Sequence, residues 1–201
     1  MSKGLENYHP LRAMLLWCLL ALAVYAVLRR YGYAPPEVPG EGGYLSGIWA
    51  RFWTSYLYGM IGAAFLGCTI FAIALFFGQG SGAAAAFARR LCGLPADLDP
   101  DDPVFHLKGF DVAIAPLRDA AALFPGLGFL GTVIGISGAI GGLREVMSGG
   151  DPTELIGGLR TAFDTTFLGL VAALLLTLIN MSLTQRAIRI RSRRMGVDSF
   201  V

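Results

Sequence analysis

Four stretches nearly free of charge, approximately residues 13–28, 53–77, 123–143 and 162–183, constrain this chain more than any other feature. Each approaches the roughly 20 residues that cross a bilayer as a helix. With 55% of its residues hydrophobic and only 15% charged, the chain reads as an all-α integral membrane protein with four transmembrane helices. The short helical pieces between the spans extend them, and the whole chain, 1–201, forms a single membrane domain.

The first span, "AMLLWCLLALAVYAVL", reads as an uncleaved helix. A secretory signal is the competing reading, but the apolar run continues past Ala21 and Ala23, where small residues would mark cleavage. Trp53, Tyr56 and Tyr58 open the second span as an interfacial aromatic belt. Gly59, Ala63 and Gly67 recur every four residues within it, the spacing that lets membrane helices approach closely. Counting Lys and Arg between spans gives eleven on the side of the N-terminus and five on the other, so both termini are expected in the cytoplasm. Cys18, Cys68 and Cys92 are then free thiols.

Outside the spans, little supports chemistry. Residues 31–52, rich in Pro and Gly, read as an external loop, and residues 78–122 as a cytoplasmic loop too short for a catalytic domain. Residues 184–201 form a basic cytoplasmic tail, explained by topology and anionic membrane lipid; no groove-reading motif points to nucleic acid. Asp97, Asp99 and Asp101 begin like a calcium loop, but Asp102 stands where Gly is needed and Lys108 where Glu is needed. His9 and His106 have no ligand-spaced companions, and no nucleophile set is visible. No metal, cofactor or enzymatic activity is expected.

The informative pattern lies in the last two spans. Gly128, Gly131, Gly135, Gly138 and Gly142 recur at intervals of three and four, making one helical face without side chains, and Thr132 sits beside it. In the fourth span Thr166, Gly169, Ala173, Thr177, Asn180 and Thr184 form a small and polar stripe of the same periodicity. Two readings compete. Such hydroxyls can bond the carbonyl four residues back while Gly permits tight packing, or they can line an ion path. No acid or base lies deep in a span, since Asp164 is expected near the outer end of the fourth as a helix N-terminal acid or a cation attractor. An ion carrier normally needs such a group, so another chain would have to supply it.

"LFPGLGFLGTVIGI" followed by "LRTAFDTTFLGLVAALLLTLIN" resembles the paired pore helices of the MotA/TolQ/ExbB family, pore subunits of ion-driven bacterial motors. The residues that carry the resemblance are Pro125, Leu127, Gly128, Leu130, Gly131, Thr132, Val133 and Gly135, then Ala162, Thr166, Gly169, Leu170, Ala173 and Asn180. It implies a homopentamer in the bacterial inner membrane around a dimer of MotB/TolR/ExbD-like single-span partners, each bringing one pore Asp. It also implies an ion pathway at Thr132 and Thr166, with Thr165 adding an oxygen. Gly128, Gly131, Gly135, Gly138, Gly169, Ala173, Thr177 and Asn180 would be the partner-facing pore surface. The transported ion would be a proton or sodium. The main rival is a structural four-span scaffold without ion conduction.

Overall fold

The computed structural model describes residues 9–31, 55–79, 83–94 and 110–194. All regular structure there is helical: α1 (Pro10–Arg30), α2 (Tyr56–Gly78), α3 (Ala83–Leu91), α4 (Phe110–Met147) and α5 (Thr153–Arg194). Four of these, all but α3, are long and apolar enough to cross a membrane. Leu16, Leu19, Phe129, Phe163 and Leu174 are all more than 60% exposed, a surface that suits lipid and not water. The Pro- and Gly-rich segment 32–54, the aspartates at 97–102 and His106 lie outside the described residues.

The helices outrun the stretches read from sequence. α4 begins at Phe110, inside what reads as a loop, and continues through Pro116 and Pro125 without interruption. α5 begins at Thr153, well ahead of the apolar run at 162. Asp151 starts it: its Oδ1 accepts from Thr153 N (3.1 Å) and Thr153 Oγ1 (2.7 Å). Pro152 follows as the first-turn proline that needs no N–H partner.

The turn before it is set by Gly149. Its φ of +87° is left-handed, and the backbone bonds Gly150 N to Glu145 O (2.9 Å) and Gly149 N to Val146 O (3.0 Å) complete a Schellman ending of α4. α3 ends the same way at Gly93, φ +71°, with Leu94 N bonded to Arg89 O (2.8 Å).

The chain divides into two compact units. One comprises Met1–Ala21, Phe65–Ala120 and Leu175–Val201. In its described part Phe71, Leu75, Leu117, Leu176 and Leu183 are fully buried. Gly67 admits α1 closely, since a Cβ there would stand 2.6 Å from Cys18 Cα. The Cys18 and Cys68 thiols are 3.8 Å apart and, like Cys92, unbridged. Arg89 is buried and donates from Nη1 to Gly78 O (3.1 Å), closing the last turn of α2 with a cation.

The other unit comprises Leu22–Ala64 and Ala121–Leu174. Its apolar core includes Tyr25, Ile61, Ala63, Phe124, Ala139, Ala162 and Ala172. Gly59 accommodates the Tyr25 ring, so the small-residue stripe of α2 is a packing face for α1 here too. Arg29 lies 3.4 Å over the Tyr56 ring. Tyr56 is 69% exposed, as a belt residue should be, but Tyr58 is buried and leaves the belt for the interior.

Candidate functional site

Within the second unit, α4 and α5 run antiparallel and touch through backbone. A Cβ at Gly128 would stand 2.9 Å from Thr165 O, at Gly135 2.5 Å from Ala162 N, and at Gly142 2.7 Å from Leu155 N. Gly131 abuts the Thr165 side chain, Gly158 abuts Ala139, and a Cβ at Gly169 would stand 2.6 Å from Phe124 O. The seam therefore follows 128, 131, 135, 139 and 142 on α4 against 169, 165, 162, 158 and 155 on α5. The spacing is that of a heptad on α5, whereas α4 steps by four from 135 to 139 and so passes over Gly138.

The expected glycine face is thus divided. Gly128, Gly131, Gly135 and Gly169 lie against the other helix of the same chain. Gly138 has nothing within 4 Å, because Ala139 takes its place in the seam. On α5, Ala172 and Leu176 are buried, while Ala173 is half-buried and Thr177 exposed. Asn180 is half-buried, and its Oδ1 is enclosed without a hydrogen-bond partner among the described residues.

Along one edge of the seam, Thr132 and Thr166 meet hydroxyl to hydroxyl. Thr132 Oγ1 lies 3.2 Å from Gly128 O and 3.3 Å from Ala162 O; Thr166 Oγ1 lies 3.1 Å from Ala162 O and 3.4 Å from Gly128 O. Two hydroxyls hold two protons between them, while each has both carbonyls and the other hydroxyl as acceptors. Several donor patterns therefore satisfy the same geometry. Both side chains are half-buried, so the pair is open on one side.

Thr165 does not join them. It is fully buried in the seam, with its hydroxyl on Thr161 O (2.9 Å) or Ala162 O (3.2 Å) of its own helix. The expected second oxygen of the pathway is spent on backbone.

Asp164 departs furthest from its expected place. Eleven positions inside α5 and only 1% exposed, it is not a helix N-terminal acid. Its Oδ2 accepts from the Tyr58 hydroxyl (3.1 Å), itself 1% exposed. Thr166, two residues on, is turned about 200° round the helix, so the carboxylate and the threonine pair occupy opposite faces of α5. The reading of Asp164 as a helix N-terminal acid is corrected: it lies within α5 and is tied to α2. Its signal was the Asp-Pro-Thr-Glu start at 151–154, a capping pattern that lengthens α5 toward its N-terminus.

Four apolar helices, with a backbone-tight hairpin carrying a threonine pair on its open edge, define a multi-pass helical membrane protein. The comparison with protein families agrees. Residues 108–195, which hold all of α4 and α5, match the MotA/TolQ/ExbB proton channel family, so the resemblance read from these two helices is borne out over that segment. No curated protein and no solved structure matches the chain.

Proposed function

We propose that this chain is the pore-forming subunit of a bacterial proton- or sodium-driven motor. It forms a homopentameric ring around a dimer of single-span partners and converts ion-motive force into rotation or mechanical work. The Thr132 and Thr166 pair carries this reading. Because its protons can be shared in more than one pattern, a hydroxyl can turn to a passing ion or water while the carbonyls beneath keep a donor. Among the described residues no carboxylate stands on that edge, since Asp164 faces the other way, so on this reading the partner supplies the anionic group of the pathway. The partner helix then packs along the edge beside Thr132 and Thr166, while Gly128, Gly131, Gly135 and Gly169 serve the hairpin itself.

The test is to co-express the chain with the single-span protein encoded beside it, count subunits by native mass spectrometry, and measure ion flux in vesicles. Five copies with two partners are expected, and Thr166→Val, which keeps shape but removes the oxygen, should preserve assembly and suppress flux. One observation favours the scaffold reading: most of the glycine face is occupied by intrachain packing. Full flux in Thr166→Val would remove the pore assignment, and a partner-free assembly would give the scaffold the lead.

A further inference from the structure

We propose that the cleft between the start of α1 and the end of α3 binds one anionic phospholipid, its phosphate between Arg12 and Arg90 and an acyl chain along Leu16 and Leu20. The cleft has a volume of about 490 Å³, and Arg12, Leu16, Trp17, Leu20 and Arg90 are among its lining residues. That falls within the range of about 300–1,000 Å³ typical of small-ligand sites. It belongs wholly to the first unit and does not depend on the motor reading.

The walls are fixed. Trp17 Nε1 donates to Leu91 O (3.1 Å), holding α1 on α3, and the left-handed turn at Gly93 brings the end of α3 beside His9 and Ala13. The two neighbouring arginines of α3 are used differently. Arg89 is buried on the last carbonyl of α2, whereas Arg90 is exposed and lines the cleft. Among the described residues no carboxylate lines the cleft, and neither Arg12 nor Arg90 has an acidic partner.

The order of side chains along α1 selects an amphiphile over a free anion. Arg12 is followed by Leu16 and Leu20, one and two turns on, so the apolar groove runs from about 6 to about 12 Å beyond the cationic end along the axis of a candidate span. Leu16 and Leu20 are 65% and 53% exposed, so the groove opens onto the exposed apolar face of the helix. A ligand that satisfies both ends carries negative charge at its head and hydrocarbon below. On the orientation expected from the Lys and Arg distribution, this end of α1 meets the anionic leaflet.

The experiment uses the purified full-length chain in phosphatidylcholine nanodiscs doped with phosphatidylglycerol of the same chain length, with bound lipid read by native mass spectrometry. The wild type should retain phosphatidylglycerol selectively, and Arg12→Gln/Arg90→Gln should lower that selectivity about thirtyfold. Arg118→Gln/Arg189→Gln, an equal change of charge on exposed side chains elsewhere, should retain it. Leu20→Trp, which fills the groove, should weaken retention with both arginines in place. Equal loss in the control pair would reduce the effect to general surface charge. Displacement of the lipid by inorganic phosphate, or no selectivity in the wild type, would also overturn the proposal.

Discussion

The contact between α4 and α5 and the contact of Gly67 with α1 are both made backbone on backbone, yet only the first has side-chain hydroxyls reaching across it. Near Gly67, Thr69 donates to Phe65 O of its own helix (2.8 Å), and the facing groups are thiols. On α5, Thr161 and Thr184 likewise bond the carbonyl four residues back. Thr132 and Thr166 differ because each reaches carbonyls of both helices. Small residues alone therefore mark close packing; hydroxyls shared between helices mark an edge that can rearrange its bonds.

This contrast can be broken most forcefully at the glycines. Gly135→Leu should abolish the folded hairpin, because its side chain would meet Ala162 and Gly158 backbone atoms that cannot swing away. The cost should lie at or beyond the upper end of the roughly 1–3 kcal/mol of overpacking. Gly138→Leu, three residues along the same helix but open, should leave the melting temperature in detergent within a few degrees of wild type. Equal damage from both would mean that the seam does not run through Ala139.

Next comes the bond on the opposite face of α5. Tyr58→Phe removes the donor to a buried carboxylate and should cost about 1–3 kcal/mol, read as a lower melting temperature. Asp164→Asn keeps an acceptor and should cost less. Should Asp164→Asn instead abolish ion flux in a stable protein while Tyr58→Phe does not, the carboxylate would belong to the ion path and the division between the two faces of α5 would fail.

The helix-ending glycines come third. Gly93→Ala should destabilise by about 1–2 kcal/mol through its left-handed φ alone, since the nearest atoms stand 3.5 Å from where a Cβ would lie.

Cys92 offers the smallest effect. Burial pushes its thiol up to about 12, so alkylation at pH 8 should be very slow in the folded protein. The folded state holds this proton where the unfolded chain releases it. Its stabilising contribution is therefore complete below the ordinary thiol range and fades as pH climbs toward 12. Rapid labelling at pH 8 would show that the α3 end of the first unit opens.

Much of this was legible beforehand. Apolar length revealed the four spans, because the hydrocarbon layer fixes how many residues a helix needs. The family pattern singled out Thr132 and Thr166, though not the direct contact between their hydroxyls. Periodicity alone could not distinguish Gly138 from Ala139 at the seam, since spacings of three and four both keep a residue near one face. Nor does a run of glycines state whether its neighbour is the next helix of the same chain or another molecule. Asp164 lies deeper in α5 than the apolar run at 162 suggests, because the helix begins at the Asp151 cap. The bond to Tyr58 joins residues 106 positions apart, which no local pattern announces.

That bond also bears on how the protein is made. An aspartate in a nascent span opposes transfer from the translocon into lipid, by about 2.5–3.5 kcal/mol where it stands at the helix centre. The Tyr58 hydroxyl emerges from the ribosome far earlier, within α2, and stands ready when Asp164 arrives. Synthesis order thus places the donor for Asp164 in the chain before the carboxylate itself. Expressed alone, α5 would have to enter the bilayer without that donor.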